Sequence, residues 1–366
     1  MQQTARKALF LPMSLLNIPN IASQLNQQTR EKFERVYEIR QEEGCLRLTD
    51  QMKPWVKENF GSIEVVEKQK VVRILNKITL KGASFNALRS QRPDQTHGIN
   101  ATLEELIQKT HGGPFCRAEE MTPEDAFGRI RGAYCITAAN IAKSDIWHGV
   151  LIFHKHHPLD WEAEEITDFL ATANQWFYKV HQEDSKANFP FLFWNCLWRA
   201  AASIVHGHMQ MIVSSSPFAQ KILLDRQTRE YQGKYQSNYF ADLYQIHNAL
   251  GLTLPTTSPE IKAFVPICPR REREIIIMSD NFDQKLWQAF AQIIVDYRNK
   301  LGVKSFNVGL TPLPLNGEPQ LNLPVIIEII DRGDLSSNHS EIGSMEMFAQ
   351  QVITHDPFET KRMMVS

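Results

Sequence analysis

The stretch SIVHGHMQMIVSS, residues 203–215, holds two imidazoles two positions apart, followed by an amide. An imidazole titrates near pH ~6.5, so it is mostly neutral at physiological pH and can attack an electrophile without a strong base to activate it. Attack on a nucleotide α-phosphorus gives a phosphoramidate, a bond labile enough for a second acceptor to displace. Such a step needs a group that fixes the ring tautomer and a donor to the leaving oxygen. It also needs cations or N–H groups on the phosphates. Gln210, two positions beyond His208, can be that donor, and Gly207 lets backbone approach closely. Two other readings compete: core histidines satisfied by backbone carbonyls, and metal ligation by His206 and His208.

Alternation places these residues. Successive side chains of a strand point to opposite faces, so Ile204, His206, His208, Gln210 and Ile212 share one face, with neighbours roughly 7 Å apart. Val205, Gly207, Met209, Met211 and Val213 share the other, which is apolar or small throughout, as a face packed on a core should be.

The remainder of the chain is that of an ordinary globular protein. Its 366 residues suit one large or two modest domains, with 43% hydrophobic and 22% charged residues. The net charge of −1 argues against general affinity for nucleic acid or an anionic membrane, so any anion site is local. Cys45, Cys116, Cys135, Cys196 and Cys268 are scattered and odd in number, which points to a reducing compartment and a cytoplasmic protein. The N-terminal ALFLPMSLL is too short and too interrupted by Pro12 for a signal peptide, and no run reaches the ~20 apolar residues of a membrane span.

Hydrophobic periodicity organises the chain as an α+β protein. Residues 1–70 read as a helical N-terminal extension, including a charged helix that ends near Gly44. From about residue 114, GAYCITAAN and HGVLIFHKH read as strands, and WEAEEITDFLATANQWFYKVHQED as an amphipathic helix. PFLFWNCLW and the 203–215 stretch follow as two more strands. The same order recurs as AFVPICP, REIIIMS, the helix DQKLWQAFAQIIVDYRNKLG, SFNVGLTPLP and NLPVIIEIIDRG. A duplicated antiparallel module with packed helices follows: 71–217, then a helical connector over 218–260, then 261–366. The last strand of the second copy carries no histidine, so only the first copy retains a chemical site.

FWNCLWRAAASIVHGHMQ resembles the active-site segment of the galactose-1-phosphate uridylyltransferase and dinucleoside-polyphosphate phosphorylase branch of the histidine-triad superfamily. That branch carries an asparagine eleven residues before the first histidine, a serine three before it, then His-x-His-x-Gln. The resemblance implies a duplicated histidine-triad module and double displacement through a nucleotidyl-histidine at His208, with Gln210 on the transferred phosphoryl group. Asn195 and Ser203 would line the phosphate pocket. FNALRSQRP is similar to the phosphate-binding arm, which adds Asn86, Arg89 and Arg92 as substrate-binding residues; two guanidiniums three apart suit a diphosphate. The implied substrates are a nucleotide sugar or a dinucleoside polyphosphate, with phosphate or a sugar phosphate as acceptor. EIGSMEMF, residues 341–348, partly matches a loop that completes the sugar pocket across a homodimer.

The family also implies a structural zinc. GGPFCRAEE stands where a Cys-x-x-Cys knuckle belongs, with Gly113 in place of the first cysteine. HKHHPLDW stands where a further ligand belongs, best matched by His157. Cys116, His157 and His206 would then hold Zn²⁺ with a water or Glu119. Two alternatives remain beside this reading: a non-catalytic nucleotide-binding or regulatory homologue, and a metal-dependent His-x-His enzyme such as a cupin.

Overall fold

The computed structural model describes residues 13–91, 102–317, 321–337 and 344–366. Its strands are β1 (Tyr37–Cys45), β2 (Lys68–Asn76), β3 (Lys81–Phe85), β4 (Cys135–Ala139), β5 (Trp147–Phe153), β6 (Phe189–Cys196) and β7 (His208–Ser214). They continue with β8 (Thr253–Leu254), β9 (Lys262–Phe264), β10 (Ile275–Ser279), β11 (Phe306–Thr311), β12 (Val325–Asp331) and β13 (Gln350–Ile353). Nine of them form one sheet in the order β4-β5-β7-β6-β11-β12-β10-β9-β8. Strand–strand–helix–strand–strand occurs twice, and in each copy the fourth strand lies between the second and third. The copies join through antiparallel pairing of their third strands, β6 and β11, with Phe193 opposite Gly309.

One face of this sheet carries the two long helices, Ala163–Glu183 and Gln284–Leu301. Their apolar stripes follow the periodicity expected of them. Ile166, Phe169, Leu170, Trp176 and Phe177 are buried on the first, and Leu286, Phe290, Ile294 and Tyr297 on the second. Met209, Met211 and Val213 of β7 enter the same core, so the apolar side of the histidine strand is packed as its sequence requires. Each such large side chain contributes about 1.5–3 kcal/mol by leaving water. Asp283 caps the second helix by accepting from Leu286 N–H at 3.2 Å, and Gly302, at φ +67°, ends it in the left-handed conformation.

The opposite face is covered unequally. Over the second copy lies a four-stranded sheet, β1-β2-β3-β13, with the helix Tyr239–Ala249. Tyr37, Ile74 and Phe85 pack there with Phe264, Met278 and Ile326. Over the first copy only a small cluster forms, with Phe115 against Ala118, Ile136, Ala138, Val150 and Ile152. The polar residues of β6 and β7 face this thinner cover.

Three local expectations change. The charged helix stops at Val36, and Tyr37–Cys45 is a strand paired with β2 along its whole length. Glu38, Arg40, Glu42 and Glu43 are common helix formers, but their backbone is committed by the β2 ladder. The N-terminal extension is therefore helical only in part, and the expected boundary at 70/71 falls inside β2. Residues 203–207 are irregular, and the histidine strand begins at His208. The connector is helical, over Ala219–Tyr235 and Tyr239–Ala249. No helix among the described residues is long and apolar enough to cross a membrane.

Candidate active site

β7 lies between β5 and β6, with His208 opposite Ile152 and Gln210 opposite Val150 and Phe193. His208 is 7% exposed. Its Nδ1 donates to its own chain's His206 carbonyl at 2.8 Å, which leaves Nε2 unprotonated with its lone pair free. Burial holds the ring below the usual imidazole range, so it stays neutral at physiological pH. Phe115 meets the rings of His206 and His208 edge-on, at centroid distances of 5.9 and 5.3 Å. Glycine at 207 is required by packing: a Cβ there would overlap the Phe153 ring beneath the strand.

Gln210 is half-buried on the same face, and its Oε1 lies 2.9 Å from Nε2 of His148 on β5. Asn195, on β6, accepts through Oδ1 from Asn307 Nδ2 at 2.7 Å, and Arg332 donates to Asn307 Oδ1 at 2.5 Å. The second copy thus steadies a polar side chain of the first. Asn307 also donates to the Ala200 carbonyl at 2.9 Å, within a loop where Leu197 (φ +67°, ψ 174°) and Ala201 (φ +69°, ψ 24°) both hold positive φ, Ala201 in the left-handed helical region. Non-glycine residues held this way cost about 1–3 kcal/mol each, and the conformation persists where its surroundings dictate it. Ser203 is exposed in the same loop.

Asn86 caps the turn after β3, accepting from Leu88 N–H at 3.0 Å and donating to Gln69 at 2.8 Å. Arg89 is exposed. Among the described residues no hydrogen bond or ion pair ties either to β7. Arg92 lies outside the described residues, as do residues 341–343 of the expected dimer loop.

Beside the histidine strand, Cys116, His156 and His206 converge. Cys116 Sγ lies 3.2 Å from His156 Nδ1 and 3.5 Å from His206 Nδ1, and the two Nδ1 atoms are 3.1 Å apart. Zinc bond lengths give tetrahedral edges of about 3.3 Å between nitrogens and about 3.6 Å between nitrogen and sulfur. Both Nε2 atoms are turned outward, His156 to the Ile107 carbonyl and His206 to the Phe153 carbonyl, each at 2.8 Å. Two lone pairs therefore face each other beside a thiol, an arrangement that favours a cation, with carbonyls orienting each ligand ring. The donor set fits a metal ion.

The expected ligand His157 is not in this cluster. Its Nδ1 accepts from Leu159 N–H at 3.1 Å, and its Nε2 lies 3.8 Å from Glu104. It closes the turn at Pro158, while its neighbour His156 faces Cys116. Glu119 is engaged too, paired with Arg131 at 3.0 Å. His111 packs edge-on against His156, with ring centroids 5.2 Å apart.

No protein-family model matches the sequence, and no curated protein sequence matches it. Solved structures do share its architecture. An ADP-glucose phosphorylase from Arabidopsis thaliana, with ADP-glucose bound, superposes at TM-score 0.62 with 16% identity over 79% of this chain and 97% of its own. The chain has the uridylyltransferase-like histidine-triad fold. A GalT-like protein from Arabidopsis thaliana gives 0.57 at 17% identity, covering 69% of this chain and 91% of that one. A uridylyltransferase gives 0.54 at 15% identity, covering 66% and 87%.

The site residues missed in the sequence are His148, His156, Asn307 and Arg332. A histidine inside WHGVLIF was a visible signal, but its partnership with Gln210 depends on the β5–β7 register. Asn307 and Arg332 needed the joining of the two copies.

Proposed function

We propose that the protein is a nucleotidyltransferase or phosphorylase that works by double displacement at His208. The observation that carries this reading is the state of that ring: neutral, buried, with Nδ1–H held by the His206 carbonyl and the Nε2 lone pair free, two residues before Gln210 on the same strand. Nε2 attacks the α-phosphorus, a P–N bond forms, and the P–O bond to the leaving phosphate breaks with its electron pair going to oxygen. The Gln210 amide supports that oxygen. An acceptor phosphate oxygen then attacks phosphorus, and the P–N electrons return to Nε2. Asn195, Ser203 and Arg89 would hold the phosphates.

The likeness to an ADP-glucose phosphorylase supports a nucleoside-diphosphate sugar as substrate, with a dinucleoside polyphosphate as the alternative and phosphate or a sugar phosphate as acceptor. Zinc, held by Cys116, His156 and His206, would tie the Phe115 turn to the ends of β5 and β7 and supply rigidity. The test is intact-protein mass spectrometry after incubation with UDP-, GDP- and ADP-sugars and dinucleoside polyphosphates. A nucleotidyl adduct on His208, acid-labile and stable to base, is expected. No adduct with any of them favours a nucleotide-binding homologue without catalysis.

A further inference from the structure

The orientation of Gln210 is set by two backbone N–H groups in the loop between β4 and β5. Ser144 N–H donates to Nδ1 of His148 at 3.0 Å. A backbone amide can only donate, so Nδ1 must be the acceptor nitrogen, and the neutral ring carries its proton on Nε2. Burial holds His148 below the usual imidazole range, which keeps it in this neutral form. Ala142 N–H likewise donates to Oδ1 of Asn140 at 3.0 Å, which turns the Asn140 NH₂ the other way. Both remaining donors converge on one atom. His148 Nε2 is 2.9 Å and Asn140 Nδ2 3.4 Å from Oε1 of Gln210.

We infer that His148, seconded by Asn140, is a positioning residue for phosphoryl transfer: it occupies the Gln210 carbonyl so that the Gln210 NH₂ is presented to the reacting phosphate. Without this clamp the amide could rotate by half a turn and present its oxygen, an acceptor, to an anionic phosphoryl group. That would exchange a stabilising contact for a repulsive one. The chain of atoms is complete within one sheet: Ser144 N–H, His148, Gln210, then substrate. Among the described residues Gln210 makes no other side-chain hydrogen bond, so its NH₂ is available to a ligand. The inference rests on the transfer reaction proposed above for its catalytic meaning, while the clamp itself is a property of the free protein.

The experiment has two arms on the full chain. The first is ¹⁵N NMR of histidine-labelled protein at neutral pH, with the His148 signals assigned by their loss in His148→Gln. A ring protonated at Nε2 and bare at Nδ1 is expected; the opposite tautomer, or a mixture, overturns the clamp whether or not the protein reacts. The second arm is a double-mutant cycle on His208 nucleotidylation, with labelled ADP-glucose and UDP-glucose as probes. His148→Phe, which keeps bulk but loses the donor, should slow adduct formation by about 10²-fold, comparable with losing one oxyanion donor, with KM little changed. The same change in a Gln210→Ala background should cost nothing further, because both act through one group. His148→Gln, which can still donate at the Nε2 position, should recover most of the rate. Equal losses in both backgrounds overturn the positioning role. If the wild-type protein forms no adduct with either probe, the proposed reaction fails for these sugars, and the tautomer still decides the clamp.

Discussion

The two modules share a strand order but carry different groups at matching positions of their ladders. Gln210 pairs with Val150 and Phe193, and Glu328 pairs with Ile276 and Gly309. Matching Phe193 to Gly309, which face each other where the copies join, sets Glu328 at the place of Gln210 and Ile326 at that of His208, and brings Glu274, one residue before β10, to that of His148. The first module thus presents a buried imidazole, an amide and a second histidine bonded to that amide. The second presents an apolar side chain packed under β1–β3 and two carboxylates bridged by Arg270, at 3.1 Å from Glu274 and 2.6 Å from Glu328. The same sheet face carries the site of the proposed reaction where its cover is thin, and packed apolar and ion-paired groups where a second sheet covers it.

The sharpest way to break this comparison is to remove the matching residues. His208→Ala should abolish the nucleotidyl adduct, since no other side chain among the described residues offers a free ring nitrogen at that place. Ile326→Ala should leave adduct formation per folded molecule intact while costing about 2–5 kcal/mol of stability through the cavity it opens. Adduct yields and denaturant midpoints for both variants decide it. An adduct that persists in His208→Ala removes the assignment of the nucleophile.

Arg270 tests the filled half. Arg270→Met leaves Glu274, 2% exposed, without its cation. Breaking a buried pair this way costs 3–5 kcal/mol, and since the guanidinium is about a third exposed we expect about 3 kcal/mol. Urea unfolding measures it. A cost below ~1 kcal/mol, the range of exposed ion pairs, would show that the cluster contributes little to holding the second module.

Metal content sharpens the comparison further. One metal per chain is expected, held by the first module. His156→Ala should lower bound metal more than about tenfold, because changes in the outer shell alone cost 10–100-fold in affinity. His157→Ala should retain it. Elemental analysis of the two variants separates neighbours that the sequence presents as equivalent, and two metals per chain would contradict the asymmetry between modules.

The confusion of those neighbours shows where sequence is legible. The repeated module could be read because both helices keep an unbroken three-four stripe and most of the strands are apolar, so local pattern and tertiary burial agree. His208, Gln210 and Asn195 could be read as a motif. His156 could not be separated from His157, because which ring closes the turn before Pro158 and which faces Cys116 is decided by a turn and not by spacing. β1 was hidden for another reason. Glu38, Arg40, Glu42 and Glu43 line an edge strand with little buried surface, so neither an alternating pattern nor β-formers mark it. His148 was visible only as a polar residue in an apolar strand until register placed it beside Gln210.

The smallest effect expected separates a histidine kept for chemistry from one kept for packing. His247, fully buried in the connector, donates from Nδ1 to the Leu243 carbonyl at 2.7 Å and accepts at Nε2 from Ile267 N–H at 3.3 Å. Burial pushes it down to about 4, against about 6.5 in the unfolded chain. Between those values the unfolded chain binds a proton that the folded chain refuses, so stability is full above pH ~6.5. It falls as pH drops toward 4, by up to about 1.4 kcal/mol per pH unit. His247→Phe should lose stability at pH 7, where both hydrogen bonds disappear, yet show a shallower decline between pH 6.5 and 4. Denaturant unfolding at stepped pH reads the slope, and an unchanged slope would mean that other groups set the acid limit. His208 differs from His247 at one atom: its Nδ1 is bonded as His247's is, but among the described residues its Nε2 has no N–H to accept from, and that lone pair is what the proposed attack would use.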